Sequence, residues 1–344
     1  MSINKQAKHM TEEHPFAQFV RILGKGKSGT RSLTMPEAKE AFSMILSGEA
    51  DPVQIGAFLM LLRVKEETGE ELAGFVSACR ENMLPADEQD SVHVDLDWSS
   101  YAGKKHQHPW FILSMLLLNQ AEHRILAHGA DGHTPGRLYT EQAFLDLGLP
   151  IANDWLDVEK HLAASKLSYL PLRRLCTPLN DLIQLRPLLG LRSPVHTLAR
   201  LLNPRSAKAS IQSIFHPAYG ALHRDADQIL NQPSALVFKG DSGEIEIKPQ
   251  ADTSLMYLRD GEFSEVTLPR TIEERVERVS APSVNPLRTM WRGANKNTYG
   301  LATVLATAAV ALTAIDPDLT IETAHAKAKL LWEQRDLTRI KACP

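Results

Sequence analysis

Lysines set between glycines, closely spaced histidines and three cysteines are the groups in this 344-residue chain that invite a catalytic or metal-binding reading. Leu23 to Gly29 (LGKGKSG) has the ingredients of a phosphate cradle but not the glycine spacing of a P-loop, so it reads as a basic loop. His128 to His133 (HGADGH) reads as a tight turn. His106 and His108 have no carboxylate motif beside them, which favours a solvated loop over a metal site. Cys79, Cys176 and Cys343 are far apart, odd in number and in no CxxC pair, which argues against both a zinc site and a disulfide framework. No metal and no cofactor is expected.

Charge is more informative. The chain carries 38 Lys+Arg against 41 Asp+Glu, a net charge of -3 that excludes a histone-like polycation. Yet residues 160 to 224 hold ten basic residues and a single acid, Asp181, which makes that segment +9 and the remainder -12. Two smaller acid-free runs are Arg21, Lys25, Lys27 and Arg31, and Arg288, Arg292 and Lys296. Brought together by folding, the three would form a positive face on an acidic protein, a surface that attracts polyanions.

The elements that must carry these groups divide into two domains. In residues 1–88, Thr34 with Glu37 and Thr68 with Glu71 form capping boxes, and Asp51, Pro52 and Gln54 form another helix start. Ala38, Ala41, Phe42, Ile45 and Leu46 then fall on one helical face, so a small helical bundle is expected. The acidic stretch from Asp87 to Asp97 reads as a linker in which Val92, Val94 and Leu96 alternate like a strand. Residues 89–344 then alternate in type. Helices are expected over Phe111 to Asn119 and Thr140 to Leu147, and strands over Arg124 to Ala127, Ala235 to Phe238, Ile245 to Ile247 and Met256 to Arg259, the last before an Asp260-Gly261 turn. Leu301 to Ile315 is a buried helix too short to cross a bilayer, and no apolar stretch follows Lys5 and Lys8, so a cytoplasmic protein without membrane contact is expected.

The segment LTMPEAKEAFSMILSGEADPVQIGAFLMLLRVKEETGEELAGF resembles the amino-terminal helical domain of anthranilate phosphoribosyltransferases and pyrimidine nucleoside phosphorylases. RPLLGLRSPVHTLARLLNP is similar to a second family block, matching at Arg186, Leu189, Gly190, Arg192, Ser193, Asn203 and Pro204. The resemblance implies a small all-helical domain, joined by helices from about 176–202, hinged to a larger α/β domain and paired into a homodimer through the small domains. It also implies a phosphoribosyl pyrophosphate site, and this chain departs from that site in three places. Where the family has GTGGD, the chain reads DLDWSSYAGK, with Trp98 and Tyr101 in place of glycines. Where the family has Lys-His-Gly-Asn-Arg, it reads Ala127, His128, Gly129, Ala130 and Asp131, so both cations are gone. In the magnesium-holding pair, Ile245 replaces the Asp and Glu246 alone remains.

In exchange the family's Gly-Pro becomes Ala199-Arg200, followed by Arg205 and Lys208. These departures resemble the YbiB branch of the glycosyltransferase family 3 fold, regarded as nucleic-acid-binding homodimers without demonstrated transferase activity. The expected function is therefore sequence-indifferent binding of single-stranded DNA or RNA, with duplex also compatible, and no catalytic residue is assigned. Charge clustering nominates Arg200, Arg205 and Lys208, assisted by Arg173, Arg174, Lys25 and Lys27. Lys104 and Lys105 near Trp98, Tyr101 and Trp110, and Arg288, Arg292 and Lys296 around Trp291, add cations interleaved with rings that suit stacked bases or a buried core equally. The alternative is a divergent phosphoribosyltransferase or glycosyltransferase acting on a small anionic or nucleotide ligand in the interdomain cleft, with Arg186 at the family's acceptor-carboxylate position.

Overall fold

A computed structural model describes residues 12–26, 28–83 and 92–341, so Lys27, Cys343 and residues 87–91 of the acidic linker lie outside the described residues. The chain opens with α1 (Ala17–Gly24), α2 (Met35–Leu46), α3 (Pro52–Lys65) and α4 (Gly69–Glu81). All three capping boxes form: Thr34 with Glu37, Asp51 with Gln54, and Thr68 with Glu71. Glu71 reaches further than a cap. Its buried carboxylate accepts the Leu33 and Thr68 N–H groups at 2.9 Å each and pairs with Lys65 Nζ at 2.8 Å, which ties the approach to α2 to the end of α3.

The large sheet is ordered β3-β2-β1-β4-β5-β6-β7. Its strands are β1 (Leu96–Ser100), β2 (Ile125–Gly129), β3 (Leu167–Pro171), β4 (Ala209–Ile214), β5 (Ser234–Lys239), β6 (Thr253–Arg259) and β7 (Glu262–Leu268). The first five are mutually parallel, and β6 and β7 close the sheet as an antiparallel hairpin. The intervening helices are α5 (Phe111–Gln120), α6 (Thr140–Leu147), α7 (Trp155–Ser165), α8 (Leu172–Leu175), α9 (Thr177–Gln184), α10 (Arg186–Leu189), α11 (Val195–Leu198) and α12 (Tyr219–Ile229). After the hairpin come α13 (Asn285–Trp291), α14 (Thr298–Ile315) and α15 (Ile321–Glu333).

Alternate strand residues face two cores, as the pleat requires. Trp98, Ile125, Ala127, Tyr169, Ile211, Leu236 and Phe238 pack under α5 and α14, with Trp98 stacked on Phe111. Leu126 and Leu170 face the other way, into a core built with α1 to α4, α7, α9, α11 and Ala226 of α12. The helices of residues 172–202 thus share their apolar contacts with the N-terminal bundle. Although α14 is long and apolar enough to span a membrane, most of it is buried under the sheet.

Two expected strands do not form. Val92 to Asp95 is irregular and β1 begins only at Leu96. Ile245 and Ile247 are buried in a non-strand loop after a tight turn at Asp241–Gly243, so their alternation reflects burial without ladder pairing. Replacing Glu71 by Ala would leave the buried Leu33 N–H, the half-buried Thr68 N–H and Lys65 without their carboxylate. The expected loss is about 3 kcal/mol, read as a drop of several degrees in the thermal unfolding midpoint. A loss under about 0.5 kcal/mol, the size of an ordinary surface change, would contradict this role.

Candidate functional site

From β1 the chain steps outward to β2 and β3, then returns to place β4 on the other side of β1. Such a reversal opens a crevice beyond the carboxyl ends of the two neighbouring strands, where open α/β sheets bind ligands. Here it is a cleft of about 150 Å³. Tyr101 lines it from the loop after β1, and Ser213 to His216 from the end of β4. Arg63 and Glu67 of the bundle, Arg192 to Arg200, and Tyr219 and His223 of α12 supply the remaining walls.

The cleft is electropositive for reasons that can be read residue by residue. Burial, followed by repulsion from Arg186, Arg200 and Arg137, lowers the Arg192 pKa to about 10. The half-buried Arg192 guanidinium has no hydrogen bond or ion pair among the described residues. Burial and the nearby arginines push His133 down to about 4, and burial with His133 and Arg192 pushes His196 down to about 3, so both rings are neutral at pH 7. The Arg186 guanidinium donates to the His133 carbonyl at 3.0 Å and to the Thr134 hydroxyl, with no carboxylate bound.

Beside the cleft, the loop after β1 still forms an anion-binding nest, contrary to the expectation from Trp98 and Tyr101. The Ala102 and Gly103 N–H groups converge on one oxygen of Glu244, at 2.7 and 2.5 Å. The other oxygen accepts the Ser100 hydroxyl at 2.7 Å. Glu244 is fully buried and reaches the nest from the loop after β5. Gly240 makes that path passable, because a Cβ there would overlap the Glu244 carbonyl. Arg200 and Arg137 then take up carbonyls of the same loops, at Gly243 (3.0 Å) and at Ala102, Gly103 and Ser242 (2.9–3.2 Å).

The position implied for a divalent cation does not fit one. Lys104 Nζ, fully buried, lies between Asp241 and Glu246, with 2.5 Å to the latter. Burial works against its charge, but Glu246 and Asp241 outweigh burial and raise its pKa. Burial likewise opposes charge on Asp241, yet Lys104 keeps that carboxyl below its ordinary value. The second Glu246 oxygen is held by the Phe111 N–H at the start of α5, at 2.9 Å. An ammonium already neutralises the carboxylates that a metal would need.

Under these loops runs a buried polar chain. The Tyr101 hydroxyl meets His128 Nδ1 at 2.7 Å, His128 Nε2 lies 3.1 Å from Asp97, and Asp97 accepts the Ser210 hydroxyl at 3.2 Å. Gln212 continues it, donating to both Asp227 oxygens at 2.9–3.0 Å and meeting His223 Nδ1 at 2.7 Å.

Several nominated cations are not surface groups. Lys104 and Arg200 are buried as described, and Arg288 is 8% exposed, donating to Asn285 Oδ1 and to the Asp146 carbonyl. Arg205 pairs with Glu159 at 2.8 Å and lies over the Trp155 ring, and Arg173 makes a two-pronged pair with Glu141 at 2.5 Å. Lys208 is exposed but precedes β4, whereas Arg173 and Arg174 follow β3, so they sit at opposite edges of a parallel sheet, about 20 Å apart along its strands. The expected cluster of Arg200, Arg205 and Lys208 therefore does not assemble. Trp98, Tyr101, Trp110 and Trp291 are all core residues and offer no stacking platform. Lys25, Lys105, Arg174, Arg292 and Lys296 are exposed, although Arg292 also donates to the Ile340 carbonyl at 3.0 Å. Sequence reasoning missed Glu244, Asp241 and the exposed Lys239 at the end of β5. The one available pointer was the extra carboxylate in SGEIEI.

Residues 18–83 match the helical bundle domain of the glycosyl transferase family. The uncharacterized protein YbiB of Escherichia coli K12 is 26% identical over 238 residues, covering 68% of this chain and 73% of that protein. An anthranilate phosphoribosyltransferase of Methylocella silvestris is 28% identical over 244 residues, covering 70% and 68%. Among solved structures, the anthranilate phosphoribosyltransferase of Saccharomyces cerevisiae in complex with PRPP and Mg superposes with a TM-score of 0.76 at 16% identity, covering 94% of each chain. The scaffold is thus phosphoribosyltransferase-like, a helical bundle domain followed by a larger α/β domain, as the residue patterns led one to expect.

The buried chain has a pH signature. Burial, against the opposing hydrogen bonds from Gln212, pushes Asp227 up to about 7. Its folded pKa lies above the unfolded value near 3.8, so its contribution to stability is full below about pH 4 and is lost as pH rises through about 7. The neutral His133 and His196 act in the opposite sense in both proteins, so the expected signature is a difference: the thermal midpoint of the unaltered protein falls relative to that of Asp227→Asn as pH rises from about 4 to 7. An unchanged pH profile in the variant would contradict the assignment.

Proposed function

We propose that this chain binds single-stranded DNA or RNA without sequence preference, as a homodimer, through cations around the carboxyl-end crevice of its sheet. The observation that carries this reading is Arg192, a half-buried guanidinium with no carboxylate partner in a cleft whose histidines are neutral. A cation left in that state favours an external polyanion. Lys105 follows β1, Arg174 lies on α8 just after β3 and Lys239 ends β5; all three are exposed and without an ion pair among the described residues, so three segments at the same sheet edge present cations to solvent. Lys208 precedes β4 and so lies away from this edge. Phosphoryl chemistry finds less support, since the nest that would hold pyrophosphate takes Glu244 and the cation position takes Lys104.

The second reading, a small anionic or nucleotide ligand of a divergent transferase, is favoured by Arg192 in a cleft of about 150 Å³ and by Arg186, whose guanidinium bonds to the His133 carbonyl. A salt titration separates the two. Strand binding gives a steep log–log dependence on salt, and replacing Lys105, Arg174 and Lys239 together by Ala flattens it by about two units, at about 0.7 per phosphate contact. A folded triple variant that binds a thirty-base oligonucleotide with unchanged affinity and slope would refute the placement of the interface.

Support for the homodimer comes from α3. Val53, Gly56, Met60 and Val64 succeed one another at spacings of three and four residues and form one stripe, with Val53 and Val64 80% and 84% exposed. Two copies pairing across this stripe would cover it. Light scattering should give twice the chain mass of 38.2 kDa, and Val53→Glu with Val64→Glu should return the monomer mass with the fold intact. A monomeric mass for the unaltered protein at micromolar concentration would overturn the dimer.

A further inference from the structure

We propose that the protein's own side chains act as the ions of a closed site: Glu244 stands in for an oxyanion in the loop after β1, and Lys104 stands in for a cation between Asp241 and Glu246. The loop therefore keeps a latent capacity for tetrahedral oxyanions, of which inorganic phosphate is the simplest probe. This inference is independent of nucleic-acid binding.

The geometry supports it from both sides. Two successive backbone N–H groups converging on one oxygen, with a hydroxyl on its neighbour, are the donors of an anion nest, and no donor in this set requires its acceptor to belong to the chain. The Thr140 hydroxyl lies 2.5 Å from that of Ser100; because the Ser100 hydrogen goes to Glu244, Thr140 donates to the Ser100 oxygen and so aims the Ser100 donor into the nest. Beyond the nest lies the cleft, since Gly243 adjoins Phe215 and Arg200, both of which line it. The cation side is complementary. Removing the Lys104 ammonium leaves Asp241 and Glu246 converging on a shared, buried point, a pair of oxygen donors that a hard divalent ion can take. The turn that brings Glu244 in is itself built for closure: the Asp241 N–H donates to the Glu246 carbonyl at 2.8 Å, and Gly243 has a φ of +87°.

The test uses the full chain. Glu244→Ala is expected to unfold at a lower temperature in chloride and to regain about 5 °C in millimolar phosphate at matched ionic strength, saturably, while the unaltered protein shows no phosphate-specific shift. Glu244→Gln keeps the loop filled and should not respond. Should Glu244→Ala fail to fold in chloride, refolding it in phosphate is expected to restore it. Lys104→Ala is expected to bind manganese, seen as loss of the free-ion signal in electron paramagnetic resonance, where the unaltered protein leaves that signal intact. The proposal is overturned if phosphate has no specific effect on the Glu244→Ala midpoint or refolding yield. An equal response from Glu244→Gln, which would place the phosphate elsewhere, overturns it too, as does an unaltered manganese signal with Lys104→Ala. Oligonucleotide affinity measured on the same variants reads the nucleic-acid proposal separately, because neither residue is exposed to a bound strand.

Discussion

Burying a charge requires a partner, and the architecture around the crevice follows from meeting that requirement twice within one small volume. Glu244 fastens the loop after β5 to the loop after β1, and Lys104 fastens the loop after β1 back to the turn that carries Glu244. Glu246 extends the link to the start of α5, and the paired backbones of Lys104 and Leu138 extend it to the segment before α6. Once these loops are joined, their carbonyls face Arg137 and Arg200, which accounts for two arginines lying inward on a protein of negative net charge. The cleft next to them is what remains open, and of the carboxylates beside it Glu244 is taken up by backbone N–H groups and Glu67 accepts the Thr197 hydroxyl at 3.1 Å. That carboxyl is itself pushed up by burial.

Residue patterns revealed what is local. Capping boxes at Thr34, Asp51 and Thr68 act within one turn, and the apolar runs of α5 and α14 announce burial by themselves. Strands β3 and β4 were not legible. Ser210, Gln212 and Ser213 are buried in β4 because a polar chain with Asp97, Asp227 and His223 satisfies two of them and the Gly240 N–H meets the third, and no periodicity encodes that. The site shows the same division. Lys104 next to Lys105 looks like half of a basic pair, yet one is fully buried and the other exposed, a distinction set by carboxylates more than 130 residues away. Arg200 stands where the family's proline is expected, and its charge suggested a surface contact. Its real partner is the Gly243 carbonyl, 43 residues on in sequence.

Net charge along a segment proved a partial guide to potential in space. The +9 stretch divides between two edges of the sheet and loses Arg173 and Arg205 to ion pairs. What concentrates positive potential is the convergence of its Arg186, Arg192 and Arg200, joined by Arg137 from another segment, around neutral imidazoles. Potential of this kind depends on how few acids lie within about a Debye length, roughly 10 Å at ordinary salt, more than on how many bases the chain contains.

The mutual support of Glu244 and Lys104 also has a historical consequence. Losing Glu244 alone strands two N–H groups in the interior, and losing Lys104 alone leaves two carboxylates facing each other. Each single loss of one of these side chains therefore passes through a less stable protein. With natural stabilities of only about 5–15 kcal/mol, a descent of a few kcal/mol is enough for selection to discard the intermediate. The closed arrangement thus works as a ratchet: a lineage can drift into it through gains of pairing, and it cannot leave by the same route one substitution at a time.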